Sequence, residues 1–187
     1  MDFISAIATY DFLSNALLAA ILSGIACGIV GTYVVARRMV FLSGGITHSS
    51  FGGMGIALYA NTNPIVGAMI FAIAAALGIE WASERGRIRQ DSAIGIVWSV
   101  GMAIGIVFMN LRPGYAAGDL SAYLFGSIIT VTRGDVVALG VLCALLIAGA
   151  IAWLRQVMFV AFDRDFAASQ GIPTRAISYI MAIVVAA

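Results

Sequence analysis

From Phe12 to Val35 the chain runs without a charged side chain, and apolar runs of similar length recur further along it. About 20 apolar residues of helix cross a hydrocarbon core of about 30 Å, where only a helix or a closed barrel satisfies its own backbone. A barrel would show short alternating segments, whereas these runs are continuous, so the chain reads as a polytopic α-helical membrane protein. Composition agrees: 62% of residues are hydrophobic and 10% charged, with a mean hydropathy of +1.04, outside the balance of a soluble domain. The first residues carry no positive stretch and no small-residue cleavage site. The first run is therefore expected to be a retained span rather than a signal peptide.

The expected spans are 12–36, 45–60, 64–82, 92–111 and 134–154, with a sixth starting near 176. They form a single transmembrane domain over residues 1–187. Asn61-Thr62-Asn63-Pro64 reads as a tight turn, with Pro64 suited to the first turn of the next helix. Residues 84–91 form a charged loop, Asp91 is expected to cap the fourth span, and Arg112-Pro113-Gly114 to end it. The stretch 120–131 is apolar but too short to cross, and is expected to be interfacial or re-entrant. Residues 176–187 amount to only ~18 Å of helix at 1.5 Å per residue, and the expectation is a fragment truncated at its C-terminus. Cys27 and Cys143 both lie in apolar runs and are expected to be buried small hydrophobes, not a disulfide. The pairs Gly24/Gly28 and Gly101/Gly105 have the small-xxx-small spacing that lets helices approach closely, within one subunit or between two.

Charge adds direction. All ten basic residues are arginine, and a nucleotide loop of the Walker type needs a lysine to reach phosphate. Any ATP-driven work must then use a nucleotide site on another subunit. Alternating the spans places Arg37, Arg38, Arg85, Arg87, Arg89, Arg155, Arg164 and Arg175 on one side and Arg112 and Arg133 on the other. That bias makes the first side cytoplasmic and puts the N-terminus outside.

Three regions can carry chemistry. The segment 41–55 holds His48, the only histidine, and Gly44, His48, Gly52 and Gly55 fall within roughly 80° of arc on a helix. Such a strip admits a neighbouring helix or an ion. His48 is either hydrogen-bonded within the bundle or a transient metal ligand or proton-sensitive gate, with Thr47, Ser49 and Ser50 as nearby hydroxyls. Asp119 is placed outside, where it caps the short element or draws a cation to a pore mouth. Glu80 and Glu84 share a helix face followed by arginines, and read as a solvated, arginine-paired face. The third region is 160–175. There Asp163 is a good N-cap, Gly171 a good residue just past a helix end, and Pro173 a stop. The short helix between them either docks into a cytoplasmic partner or merely orients the flanking spans. No HExxH or GxSxG is present, and no hydrolase is indicated.

Five pieces in register resemble one family, the permease subunits of ABC importers for divalent metals (zinc, manganese or iron). They are GGITHSSFGGMGIALY at 44–59, the Asn63-Pro64 entry, DSAIGIVWSVGMAIGIVF at 91–108, DLSAYLFGSIITVTRGD at 119–135 and FDRDFAASQGIPTR at 162–175. The resemblance implies an all-α helix bundle of the metal/vitamin ABC importer permease type, lying in the cytoplasmic membrane of a prokaryote. It implies a homodimer, two cytoplasmic ATPase subunits that hold the ATP, and an extracytoplasmic metal-binding protein. The chain itself would bind no cofactor or nucleic acid and would not be an enzyme. Asp163, Arg164, Asp165, Phe166, Gly171, Ile172 and Pro173 then fall in the coupling helix that seats in the ATPase. Many relatives carry an aspartate one turn before the histidine, where this chain has Gly44, so a pathway contact to metal rests on His48. A passive cation channel or secondary transporter without an ATPase is the alternative.

Overall fold

Apolar runs separated by turn-forming residues give helices whose ends are set by local capping. A computed structural model describes residues 9–86, 88–111 and 131–186. The helices are α1 (Asp11–Ala36), α2 (Val40–Tyr59), α3 (Pro64–Glu84), α4 (Gln90–Asn110), α5 (Arg133–Phe162), α6 (Arg164–Ser169) and α7 (Thr174–Ala186). The described residues contain no strand. By length and composition, α1, α3, α4 and α5 can each cross a membrane. The expected re-entrant stretch lies, apart from Val131, outside the described residues.

The turn chemistry explains most boundaries. The Asn63 side chain accepts a hydrogen bond from the Ile65 amide at 2.9 Å, and Pro64 opens α3 as expected. Thr132 and Asp135 form a reciprocal capping box at the start of α5. Asp91 is not a cap: Arg89 holds that position, and Asp91 lies inside the first turn of α4. There its carboxylate faces the positive end of the helix dipole. α2 begins at Val40, earlier than expected, because Gly45 is held against Ile94 of α4 and tertiary contact offsets the glycine's low propensity. α5 continues to Phe162, eight residues past the expected end. Arg155-Gln156 interrupts the apolar run, which resumes over 157–162, and no breaker follows until Asp163 caps the next helix.

α2 is the central helix, packed against α3 on one side and α4 on the other. Ten of its residues are buried, and this cover lets it carry serines, a threonine and a histidine at membrane depth. α2 and α4 run parallel and touch backbone to backbone. A Cβ placed on Gly52 would stand 2.7 Å from the Gly101 carbonyl oxygen, and one on Gly55 would stand 2.6 Å from that of Gly105. Only glycine permits that approach. The Gly101/Gly105 pair thus packs within the subunit, whereas Gly24 and Gly28 meet nothing within 4 Å.

α1 packs along α5 as a second unit. The Cys143 thiol donates to the Leu22 carbonyl at 3.0 Å, and Arg133 pairs with Asp11 at 2.7 Å where both helices begin. Cys143 is buried and Cys27 is exposed, so the expectation of two buried thiols holds for one. α7 bridges the units by contacting α3 and α5. An apolar cavity of about 820 Å³ lies between α1, α5 and α7.

Candidate functional site

His48 lies two turns into α2, and Trp98 lies at the same depth on α4. The two rings stack with centroids 4.7 Å apart and planes 10° from parallel. Nδ1 of His48 is buried and has no hydrogen-bond partner. The neighbouring hydroxyls do not serve it, because each donates to its own helix: Thr47 to the Ser43 carbonyl at 2.9 Å and Ser50 to that of Thr47 at 2.7 Å. Ser49 is fully buried and donates to Ile46. The expectation of a histidine hydrogen-bonded into the bundle is therefore corrected. A proton on Nδ1 would be a buried donor without acceptor, costing about 1–3 kcal/mol, so the proton belongs on Nε2.

The glycine strip is also redefined. Gly52 and Gly55 are covered by α4, whereas Gly44 and His48 remain half-exposed. The strip is a helix seam over its second half and open only at its start. A side chain at position 44 would meet nothing nearer than Trp98, 3.7 Å from the added Cβ. The described residues contain no group of three or more His, Cys, Asp or Glu side chains able to hold a metal. Asp119 lies outside the described residues.

The opposite kind of site, rich in charge, forms where α1, α3, α5 and α7 meet the short helix α6. Glu80 is not on a solvated face: it is 4% exposed. Its Oε1 lies 3.8 Å from Arg37 and 3.7 Å from Arg164. Glu84 receives Arg164 at 3.2 Å and Arg175 at 2.9 Å on Oε1, and the Tyr179 hydroxyl at 3.2 Å on Oε2. Arg85, which follows in sequence, lies over the Trp81 ring, 4.7 Å from its centroid. The expected pairing of Glu80 with arginine holds, but the expected solvation does not, because its partners Arg37 and Arg164 lie far away along the chain. Two acids one turn apart at the end of an apolar helix were the signal available.

The segment 160–175 has the form expected from its residues. Asp163 accepts from the Phe166 amide at 2.9 Å and starts α6. At the other end Gly171 has φ +74°, its amide reaches the Ala168 carbonyl at 3.0 Å, and the Ile172 amide reaches that of Ala167 at 3.1 Å. This paired closure needs a left-handed residue, which glycine supplies at no steric cost. Ala167 is fully buried and anchors the helix, while Asp165 and Phe166 face outward. Phe166 meets Phe159 of α5 edge-on at 5.9 Å. Arg164 turns inward to the two glutamates, and Pro173 stands exposed before α7. The result is a capped and exposed helical knob at the arginine-rich end.

A family model described as the ABC 3 transport family matches residues 9–187. Among curated proteins, the chain is 38% identical over 164 residues to an uncharacterised membrane protein of Synechocystis, covering 88% of this chain and 58% of that one. It is 36% identical over 181 residues to the manganese transport system membrane protein MntC of Halalkalibacterium halodurans, covering 96% of this chain and 61% of that one. The chain thus spans about three fifths of the length of these relatives. Among solved structures, PsaBC from Streptococcus pneumoniae in complex with Fab matches with a TM-score of 0.81 at 28% identity, covering 98% of this chain and 66% of that one.

Proposed function

The chain belongs to the ABC 3 transport family, and from that premise we propose that it is the permease subunit of an ATP-driven importer carrying a divalent metal ion into the cytoplasm. Of zinc, manganese and iron, manganese is the cargo we favour, because curated relatives from Halalkalibacterium halodurans and Streptococcus parasanguinis bear that name. The observation that carries the ATP-driven reading is the capped helix at 164–169. It is exposed, capped and held at the end where arginines gather, the place and form a coupling helix needs. A channel or secondary transporter would use such a knob only to orient the flanking spans.

On this reading two copies enclose one pathway, and two cytoplasmic ATPases bind and hydrolyse ATP. An extracytoplasmic protein delivers the metal. ATP binding draws the ATPases together, the 163–173 segments move with them, and the helices open outward; hydrolysis returns the pathway to the inside. His48 is a passing contact. With Nδ1 walled in, only Nε2 is left for a ligand, and coordination there would push a proton onto the buried nitrogen. That penalty keeps binding weak, and transport requires a site that lets go.

The test is manganese(II) uptake by cells lacking and then regaining the intact gene, together with co-purification of the ATPase. Reversing two exposed charges, Asp163→Lys with Asp165→Lys, is expected to abolish both co-purification and uptake. Undiminished uptake in that variant would sink the ATP-driven reading.

A further inference from the structure

Two guanidiniums that bracket the exposed 163–173 segment converge on one carboxylate of the membrane helices. Arg164 opens α6 and Arg175 stands at the start of α7, so the two guanidiniums bracket the knob. Both meet Oε1 of Glu84, at 3.2 and 2.9 Å, and Tyr179 of α7 holds Oε2. α6 packs on α5 and α7, and its charged bonds to α3 run through Arg164. One turn back, Glu80 shares the same Arg164 with Arg37 at the end of α1. Arg37 in turn donates to Ser178 of α7 at 3.4 Å. α3 packs along α2, the helix that bears His48.

We propose that Glu84, with Glu80 behind it, is the joint through which displacement of the 163–173 segment reaches the membrane helices. The inference rests on the reading of that segment as the ATPase contact. Two features suit the carboxylates to the task. Glu80 is almost wholly buried, where a carboxylate stripped of its partners is strongly disfavoured, so it follows its arginines. Arg164 lies between two carboxylates and can shift its weight from one to the other without losing a charge partner. Movement of the knob thereby pulls on α3 from both ends of the 163–173 segment at once, and α3 carries it to α2. Glu80 and Glu84 are positioning residues, remote from the transported ion.

The experiment uses the permease from its intact gene, co-purified with its ATPase and reconstituted in liposomes, with manganese(II) as the transported probe. In Glu84→Gln the ATPase is expected to co-purify and hydrolyse ATP as before. Manganese moved per ATP should fall by roughly tenfold, within the range of measured couplings between sites. Glu84→Asp, which keeps the charge, should recover part of it. Because Arg175 is 82% exposed, Arg175→Gln removes one arm without disturbing a core and should give the same loss of transport per ATP. Unchanged transport per ATP in Glu84→Gln and Arg175→Gln overturns the proposal. So does loss of ATPase binding with uptake falling in proportion, since that marks a contact which only holds the loop. Failure of the wild-type permease to retain any ATPase is a different result, and strikes the underlying reading instead.

Discussion

On the proposed function, His48 and Gly44 together set what a cation meets midway along α2. The imidazole is fixed by its stack on Trp98, and the position one turn before it is empty but roomy. Gly44→Asp should therefore fit without repacking and place a carboxylate beside Nε2. Manganese is then expected to bind more tightly and leave more slowly, so KM and maximal uptake fall together, while Gly44→Ala leaves both unchanged. His48→Ala should raise KM in the wild-type background; equal KM values would remove the histidine from the pathway. The imidazole was legible in the sequence as a lone ionisable group on a small-residue face. Its missing hydrogen bond was not, because that depends on Thr47 and Ser50 turning back to their own helix. Glu80 was hidden for the same kind of reason. Its neighbours in sequence suggested pairing with nearby arginines, yet burial and partners come from α1 and α6.

Helices were legible wherever the hydrophobic run and the breaker coincided. Asn63-Pro64 shows both at once, and α3 starts there. α5 separates the two signals: Arg155-Gln156 interrupts its apolar run, but nothing stops the helix before Asp163. The short helix α6 was legible in full, since Asp163 and Gly171 are local signals that need no tertiary help. Gly171 gives this element a direct test. An L-residue in the left-handed conformation costs ~1–2 kcal/mol, so Gly171→Ala should loosen the end of α6 and lower the ATPase's affinity for the permease. Its effect on the thermal midpoint of the bundle should be small, because nothing packs within 4 Å of that position. A large fall in the midpoint with normal ATPase affinity would contradict the local account.

The whole molecule is a trio, α2 with α3 and α4, set beside a pair, α1 with α5, and bridged by α7. The trio is locked by glycine-to-glycine backbone contact, which leaves no room for sliding. The pair and the trio share few direct contacts and face an apolar cavity where α7 crosses between them. Motion between conformations should then fall between the units. Spin labels introduced by Ile70→Cys and Val100→Cys, in a Cys27→Ala, Cys143→Ala background, should keep one separation across nucleotide states. A pair from Val100→Cys and Ile151→Cys should not. Fixed separation for both pairs would rule out this division. None of it was visible in hydropathy, which ranks segments by their fitness for lipid and says nothing of which neighbour each chooses. The glycine pairs illustrate the gap: identical spacing gives a tight seam at Gly101/Gly105 and an open face at Gly24/Gly28.

The length of α5 has a mechanical consequence. Its 30 residues make a rod of about 45 Å at 1.5 Å per residue, against a hydrocarbon core of about 30 Å. Arg155, which lies over the Phe159 ring, is suited to sit among lipid headgroups with its stem in apolar surroundings. The eight residues beyond expectation add ~12 Å at the same rise per residue and bring α6 to the close of α3, where Arg164 meets Glu80 and Glu84. With about 15 Å of rod to spare over the hydrocarbon core, α5 can tilt as the bilayer thins or thickens by a few ångström while Arg155 stays among the headgroups.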